Sequence, residues 1–398
     1  MSRNSNRFLS ESAVSLLRRH TFVVIGGDHR NPLNIVRSLG MCGIFPEVIL
    51  IGEDSHLVAA SRYVRRLVFA QTQTVALEKL IEIYSHLPEK VFVLTGEDKM
   101  TEYLNRNKDK LQNFYFFSVA HGPAPTFYFE KQNQNNLALA CGLLVPKSVI
   151  WHKGDPLDII DDSLFPVFIK AANSLAEDWK GAACICDTKQ ELAEHLMDIP
   201  FEEILIQKYL QKTNELAIQG YSTQNGATIG YTISTKYNYL VPDNYSHFVE
   251  ASPCTDLEVT ANISSMLQAM GFNGIFEAEF LVDQNNQLWF LEINLRCTAL
   301  LYLSNQAGMP PAVMWALSTL GYSAETPLSS ARLPLCGISE FDDLRVRVLT
   351  KRIPLFSWFR DLRNCQCFCY YNKYDKGPFF QELRHILSKK VKRFLPTV

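Results

Sequence analysis

The chain has 398 residues and a net charge of −2, from 39 lysines and arginines against 41 aspartates and glutamates. A chain of this length is longer than those that usually fold around a single hydrophobic core, so we expect two or three domains. The near-neutral charge gives no general attraction to nucleic acid. Hydrophobic residues make up 47% of the chain, as in soluble folded proteins. No apolar run reaches membrane-spanning length, and the polar, basic N-terminus lacks the apolar segment of a secretory signal. We therefore expect a cytoplasmic protein.

Residues 1–120 alternate between short apolar runs and helical patterns. TFVVIGG, beginning at Thr21, predicts a strand, NPLNIVRSLGMCG a helix, FPEVILIG a second strand, and EKVFVLTGEDKMTEYL a further strand and helix. This order is typical of a parallel α/β domain. Gly26 and Gly27 follow the first strand but do not form GxGxxG, so a tight turn is favoured over a dinucleotide site.

Residues 121–330 mix helices with longer strands and predict an α+β domain. EKQNQNNLALACGLLVPKS indicates a helix that ends at Gly142, PVFIKAA a strand, and residues 173–183 a loop. EEILIQKYL predicts a strand, ELAIQGYS and GATIGYTISTKY a hairpin, VEASP a turn, and DLEVTANISSMLQAMG a helix that ends at Gly271. Residues 331–398 form a mixed C-terminal extension, which ends in a helix from Phe379 to about Arg393.

A second hairpin, FEAEFLVDQNNQLWFLEINLR, spans residues 276–296 and places acids among apolar residues. The step of 13 residues lets Glu279 and Glu292 face each other across the loop DQNNQ. Glu292, Asn294 and Arg296 alternate and therefore share one face. Two carboxylates and an amide oxygen suit Mg²⁺. A half-exposed sheet with solvated acids on its outer face is the other interpretation, and the hairpin alone leaves both open.

These motifs together resemble the ATP-grasp enzymes. The hairpin is similar to the metal-binding hairpin of that family: Glu279 is followed after 13 residues by the motif E-x-N and then by an arginine. Four further motifs follow the order of the family between about 121 and 320. The resemblance implies an N-terminal α/β domain, then a two-subdomain ATP-grasp fold with an antiparallel central sheet and a lid at about 148–210.

The resemblance also implies a set of site residues. Lys131 and Lys170 take the positions of the phosphate-binding lysines, and Glu279, Glu292 and Asn294 those of the ligands for Mg²⁺ or Mn²⁺. The adenine hinge and the ribose-binding acid complete the ATP site; they correspond to Gln207, Lys208, Tyr209, Leu210 and Glu215. The chain departs from the family's common pattern at Glu130, Gln207 and the glycine-poor loop, where Lys180 is a candidate to cover the phosphates.

The activity implied by the resemblance is ATP-dependent ligation of a small-molecule carboxylate to an amine through an acylphosphate, with release of ADP. Arg296 would stabilise the acylphosphate or its tetrahedral successor, or else form a structural ion pair. Lys236 would reach the γ-phosphate, or else be a solvated strand lysine. His247 would line the substrate pocket, although a core or surface histidine is favoured. A bicarbonate-activating enzyme and an ATP-binding protein without catalysis are the alternative functions.

Two further patterns concern partners. Ten cysteines, including CxC at Cys184 and CxCxC from Cys365 to Cys369, lack the CxxC pairs of zinc sites and are interpreted as reduced strand cysteines.

The C-terminal helix is amphipathic and basic, so it either docks on the protein's core, which is favoured, or rests on an anionic membrane. The apolar positions of that helix are Phe380, Leu383, Leu387, Val391 and Phe394. A homodimer is left open.

Overall fold

The computed structural model describes residues 9–124, 126–173, 183–199, 201–241, 246–322 and 333–394, with the side chains of 198 and 389–394 excepted. Lys180 and most of the predicted loop at 173–183 lie outside these ranges. Within them, no helix combines the length and the apolar character needed to cross a bilayer.

The N-terminal region forms a five-stranded parallel sheet with the order β3-β2-β1-β4-β5. Every residue of the central strand β1 is buried, because helices cover both faces of a parallel sheet, which explains its unbroken apolar run. The predicted α/β architecture is confirmed, and β3 and α3 are additions to it. The elements are α1 (Glu11–Leu17), β1 (Phe22–Gly26), α2 (Arg30–Met41), β2 (Glu47–Ile51), β3 (Arg66–Ala70), α3 (Gln73–Tyr84), β4 (Val91–Thr95), α4 (Asp98–Arg106), α5 (Lys108–Leu111) and β5 (Tyr115–Phe116).

A helix and a small antiparallel sheet come next. The helix α6 (Lys131–Ala140) is followed by Gly142 at φ +88°, as predicted. The sheet has the order β6-β9-β7-β8, and α7 packs its apolar face on it. Its elements are β6 (Ser148–His152), β7 (Val167–Ala171), β8 (Cys184–Cys186), α7 (Lys189–Asp198) and β9 (Glu203–Lys208).

The central sheet has seven strands in the order β14-β13-β10-β11-β12-β15-β16. All pairs are antiparallel except β15 with β16, so the predicted antiparallel sheet is confirmed with one parallel pair at its edge. Its middle elements are β10 (Asn214–Thr223), β11 (Thr228–Tyr237), β12 (Phe248–Ser252), α8 (Leu257–Ala269), β13 (Gly274–Val282), β14 (Leu288–Asn294), α9 (Leu301–Gln306) and α10 (Pro311–Thr319).

The predicted turn at VEASP is wrong, because most of it belongs to β12. That strand is hydrogen-bonded on both sides, to β11 and to β15. Its alternation of apolar and polar residues fits a pleated strand, and its second partner lies more than eighty residues further along the chain, beyond the reach of a local pattern.

The segment after residue 331 adds strands to the central sheet and ends in helices. It comprises β15 (Leu335–Ile338), α11 (Glu340–Asp343), a π-helical turn (Leu344–Leu349), α12 (Leu355–Asn364), β16 (Cys367–Phe368) and α13 (Gly377–Phe394). Cys365, Cys367 and Cys369 are all buried.

The C-terminal helix α13 is present but turned relative to the predicted apolar face. Phe379 packs against the core, whereas Phe380 and Leu387 are exposed. His385 stacks on His56 with ring centroids 4.0 Å apart. The side chains of Val391 and Phe394 lie outside the described residues.

Candidate active site

The hairpin of β13 and β14 brings four polar residues together. Glu279 lies directly opposite Glu292, and Glu277 lies opposite Asn294. The amide nitrogen of Asn294 donates a hydrogen bond of 2.8 Å to Glu279, a contact that does not use the amide oxygen. The predicted cross-strand pair is therefore present, and Glu277 is an acid at this site that the sequence reasoning passed over.

The pKa values of the two paired glutamates are shifted in opposite directions. Burial, together with the charges of Glu292, Glu277 and Glu215, raises the pKa of Glu279 well above its usual range. Burial acts in the same direction on Glu292, but Lys131 and Lys170 outweigh it and hold the pKa of Glu292 below its usual value. The hairpin therefore concentrates more carboxylates than nearby cations compensate.

The two predicted phosphate lysines lie against this hairpin from different elements. Lys131, the first residue of α6, places Nζ 3.6 Å from Oε2 of Glu292. Lys170 projects from β7, and burial, with the like charge of Lys131 adding to it, lowers its pKa to about 7. The backbone N–H of Lys131 donates to the carbonyl of Ala172 at 3.0 Å. Both lysines are thus held beside the carboxylate cluster.

Gln134, one turn into α6, fixes that helix on the hairpin. Its side-chain oxygen accepts from the N–H of Ile293 at 2.9 Å, and its side-chain nitrogen donates to the carbonyl of Ile293 at 3.2 Å. A buried amide that satisfies both groups of one strand residue sets the helix position closely. The sequence shows Gln134 only as one of several polar helix residues, without a signal for this contact.

The predicted adenine hinge follows β9. Gln207 is buried, and its side-chain nitrogen has no hydrogen-bond partner among the described residues. Lys208 donates its ammonium to the carbonyl of Phe165 at 2.7 Å, and Tyr209 donates its backbone N–H to Pro166 at 2.9 Å. Glu215 accepts a hydrogen bond from Lys212. A buried, unpaired amide beside a hinge suits a ligand with donor and acceptor edges, such as adenine.

Arg296 is bound to the N-terminal region. It forms a bidentate ion pair with Asp98, the first residue of α4, and lines the cavity described below. Burial opposes the charge of Arg296, but Asp98 raises its pKa above the usual value. This geometry is therefore compatible with both expectations for Arg296, which are stabilisation of the acylphosphate or its tetrahedral successor and formation of a structural ion pair. Asp98 had no signal in the sequence beyond its place after a strand.

The turn at the end of β1 is held by hydrogen bonds and close packing. The N–H of Gly27 donates to the carboxylate of Glu97, which also contacts His29 at 3.0 Å. A Cβ on Gly26 would lie 2.8 Å from Pro32. These contacts agree with the tight-turn interpretation of the glycine pair.

A cavity of about 200 Å³ opens beside the hairpin. Glu277, Glu279, Glu292, Asn294 and Arg296 line one end of it. His247 also lines it, in contrast to the favoured expectation of a histidine away from the pocket. Lys236 is exposed on β11 and does not line the cavity.

Two of the predicted strand cysteines lie near a histidine. The ligand atoms of Cys184, Cys186 and His195 lie within 4.8 Å of one another, and the two sulfur atoms are 3.9 Å apart. Burial raises the pKa of Cys186 to about 12, which favours the neutral thiol. Their interpretation as reduced cysteines stays a prediction.

The hairpin carboxylates fit a divalent cation. The raised pKa of Glu279 marks a site where negative charge is not compensated by Lys131, Lys170 and Arg296. Oxygen ligands from Glu279, Glu292 and Asn294 match the preference of Mg²⁺ for carboxylates and carbonyls.

The solved structures provide a comparison for this arrangement. N5-carboxyaminoimidazole synthetase from Staphylococcus aureus is 16% identical, with a TM-score of 0.63 over 83% of this chain and 86% of that chain. L-amino acid ligase from Bacillus licheniformis is 16% identical, with a TM-score of 0.57 over 76% and 74%. Biotin carboxylase from Campylobacter jejuni, in a β-γ-ATP complex, is 15% identical, with a TM-score of 0.59 over 79% and 74%.

The fold is that of the ATP-grasp enzymes. The fold predicted from the five ordered motifs is therefore confirmed. No protein-family model matches the chain, and no curated protein matches it.

Proposed function

We propose that the protein is an ATP-dependent ligase that activates a carboxylate as an acylphosphate and joins it to an amine, releasing ADP and phosphate. One observation carries this proposal: Lys131 and Lys170 meet Glu279, Glu292 and Asn294, which line one end of the cavity. Lysines suited to phosphate, carboxylates suited to a divalent cation and space for a second substrate are then adjacent.

ATP would lie between the lid sheet and the central sheet. Gln207, Lys208, Tyr209 and Leu210 would hold the adenine, and Glu215 the ribose. Lys131 and Lys170 would hold the phosphates. Glu279, Glu292 and Asn294 would bind Mg²⁺ or Mn²⁺, which, when bound, screens the charge of the phosphates.

The chain's own contribution to the reaction is positioning and electrostatics. An oxygen of the substrate carboxylate attacks the γ-phosphorus, and the bond to ADP breaks. The amine nitrogen then attacks the acyl carbon, phosphate leaves and the nitrogen loses a proton. Arg296, held by Asp98, would stabilise the oxygen on which negative charge develops. Lys236 would need to reorient to take part, since it is exposed on β11.

The proposed domains are residues 1–120 for the N-terminal domain, 121–330 for the ATP-grasp domain with a lid at about 148–210, and 331–398 for an extension, which adds β15 and β16 to the central sheet. The cavity volume of about 200 Å³ favours a carboxylate larger than bicarbonate, because a cavity of about 150 Å³ already accommodates a benzene molecule.

The reaction class is tested by nucleotide chromatography after incubation with ATP, Mg²⁺ and pools of acids and amines, with hydroxylamine to trap activated acyl groups. We expect ADP and a hydroxamate, because the lysines and the carboxylate cluster would direct the γ-phosphorus toward the cavity. AMP in amounts equal to product would contradict the mechanism. Lys170→Met serves as the matched inactive control.

A further inference from the structure

The cavity has a second end, away from the carboxylate cluster. Four residues line this end: Arg30 at the start of α2, His247 before β12, Tyr302 in α9 and Ser339 after β15. The N–H of Ser339 donates to the carbonyl of His247 at 2.8 Å, and Arg30 donates to the hydroxyl of Ser339 at 3.2 Å. Four separate segments of the chain therefore meet at this end.

Three side chains at this end keep hydrogen-bond donors available. His247 is 9% exposed and Tyr302 is 7% exposed, and neither the imidazole nor the hydroxyl has a hydrogen-bond partner among the residues that the structure describes. Arg30 uses one nitrogen, Nη1, for its contacts with Ser339 and Asp342. Buried polar groups that lack protein partners next to a cavity are suited to a polar ligand.

The acids near this end are each bound by other protein groups. Asp342 accepts from Arg30 at 2.7 Å and from Arg345 at 3.1 Å, so one carboxylate is shared between two guanidinium groups. The neighbouring Asp343 is bound by Arg347 at 2.9 Å. Glu340 accepts from the backbone N–H groups of Tyr370 and Tyr371. An anion bound at Arg30 would therefore meet its guanidinium group and hydrogen-bond donors, while the neighbouring carboxylates are occupied by other contacts.

We infer that Arg30, His247 and Tyr302 bind a second anionic group of the acid substrate, while its reacting carboxylate lies near Arg296 and the carboxylate cluster. The substrate class is then a small acid with a further carboxylate or phosphate group. This inference rests on the proposed function, because that function assigns the cavity to the acid substrate.

The size of the cavity limits the chain between the two groups. A volume of about 200 Å³ is somewhat larger than the cavity of about 150 Å³ that holds benzene. A backbone of about four to six carbons between and including the two anionic groups fits this space.

The test is calorimetric titration of the full chain, saturated with ADP and Mg²⁺, with three probes of similar length. These are glutarate, its monoamide glutaramate, and 4-phosphonobutyrate. We expect an anionic probe to bind at least about tenfold more tightly than glutaramate, because a charge-assisted hydrogen bond is worth ~1.5–3 kcal/mol. The tighter of glutarate and 4-phosphonobutyrate identifies the anion.

Variants locate the effect. Tyr302→Phe removes one hydroxyl with little change in shape, and Arg30→Gln removes the charge; both should bring the affinities for acid and amide closer together. Arg19→Gln is the control, because Arg19 forms an exposed ion pair with Glu89 and does not line the cavity. It should keep the preference for the acid.

The outcomes separate the two proposals. Failure of ADP and Mg²⁺ to bind would overturn the proposed function and this inference with it. If ADP binds but glutarate, 4-phosphonobutyrate and glutaramate bind with equal affinity, this inference alone would be overturned. The same holds if ADP binds and none of the three probes does. An unchanged preference in both Arg30→Gln and Tyr302→Phe would also overturn it.

A second observation, independent of the cavity, concerns the outer surface around α12. Four apolar side chains are exposed there: Leu349, Leu355, Phe356 and Phe359. Phe356 is 82% exposed, an unusual value for a phenylalanine. Trp358, in the same helix, is buried, and its indole N–H donates to Asp343 at 2.9 Å. We call these four exposed residues the α12 patch.

Cations surround the α12 patch. Arg345, Lys351, Arg352, Arg360 and Arg363 are exposed within residues 345–364. The single acid in that stretch, Asp361, is partly buried and bound to Arg347 at 2.8 Å. A short amphipathic helix that exposes phenylalanine and leucine beside arginine and lysine matches the chemistry of a membrane interface. Anionic lipids attract clusters of arginine and lysine.

The geometry points to the α12 patch as a surface that binds anionic phospholipid bilayers, with Phe356 and Phe359 entering the interface. This site differs from the C-terminal helix, for which the sequence left membrane contact open. It would place the enzyme at the bilayer surface.

Sedimentation with vesicles tests this directly. We expect the full chain to sediment with vesicles of phosphatidylcholine and phosphatidylglycerol at 3:1, to stay soluble with pure phosphatidylcholine, and to be released by high salt. The double variant Phe356→Ser/Phe359→Ser should reduce binding at least about tenfold. Phe114→Ser, at another exposed phenylalanine, should leave it unchanged.

Absence of binding to the anionic vesicles, or equal binding of the double variant, would overturn the assignment. Conversion of a lipid-free dimer into a monomer by the double variant would also overturn it, because the α12 patch would then be an interface between two copies.

Discussion

Arg296 and Asp98 form a two-point ion pair, with Nε 2.7 Å from Oδ1 and Nη2 2.6 Å from Oδ2. The pair joins the end of the β13–β14 hairpin to the first turn of α4. Since the fork of a guanidinium matches a carboxylate at both nitrogens, the orientation of Arg296 is set by the N-terminal sheet.

Asp98→Asn should lower turnover roughly ten- to hundredfold while ATP affinity stays near the wild-type value, because Arg296 would keep its charge but lose its orientation. Steady-state kinetics with separate nucleotide titration measures this. Asp109→Asn, at an exposed acid on α5, is the control. Wild-type turnover in Asp98→Asn would show that the pair only joins two domains.

Glu292→Gln should lower ATP turnover roughly a hundredfold or more, because the carboxylate opposite Glu279 would no longer bind the cation that the phosphates need. Turnover is measured over a range of Mg²⁺ and Mn²⁺ concentrations, and the variant should need more of either metal. Glu258→Gln, an exposed acid on α8, should behave like the wild type. A folded Glu292→Gln protein with normal turnover would remove Glu292 from the site.

ATP affinity should fall as the pH rises above 7. In the free protein burial lowers the pKa of Lys170 to about 7, whereas bound phosphate would favour the charged amine. Binding then takes up a proton above pH 7, and the dissociation constant rises by up to roughly tenfold per pH unit. Titrations between pH 6 and 9 measure the slope.

Two arginine variants sharpen this experiment. Lys170→Arg keeps its charge throughout the range, so its affinity should lose the slope, whereas Lys236→Arg should retain it. The same slope in Lys170→Arg would assign the proton to another group.

Arg37→Leu should reduce the free energy of unfolding by ~3–5 kcal/mol, because the buried carboxylate of Asp375 would lose its charge partner. Arg37 and Asp375 are 3% and 1% exposed, and Arg37 also donates to the carbonyls of Cys369 and Tyr370. Denaturant unfolding measures the change. Arg19→Leu removes a surface pair with Glu89 and should cost at most ~1 kcal/mol; equal losses in both variants would contradict the prediction.

Local patterns in the sequence predict the parts of the site that lie on single elements. Alternation and the 13-residue step placed Glu279 opposite Glu292, and the family motifs assigned Lys131 and Lys170, which the structure brings to that hairpin. The CxCxC strand was shorter than predicted, with only Cys367 and Phe368 in β16.

The residues that were missed depend on contacts between distant segments. Asp98 is 198 residues from Arg296 in sequence, and Gln134 is 159 residues from Ile293. Each looks like an ordinary polar helix residue until its partner is known. The face of α13 was predicted one residue out of place because Phe379 and Phe380 are equally apolar, and only the position of the core distinguishes them.

The arrangement of the cavity bears on how the protein matures during synthesis. Its walls include Arg30 near the start of the chain and Cys369 near the end, and Asp375 anchors the latter segment on α2 through Arg37. Domains generally fold in order as the ribosome releases them, so the N-terminal sheet can form early. The cavity cannot close until residue 375 has emerged from the ribosome, so the N-terminal sheet can form well before the cavity is complete.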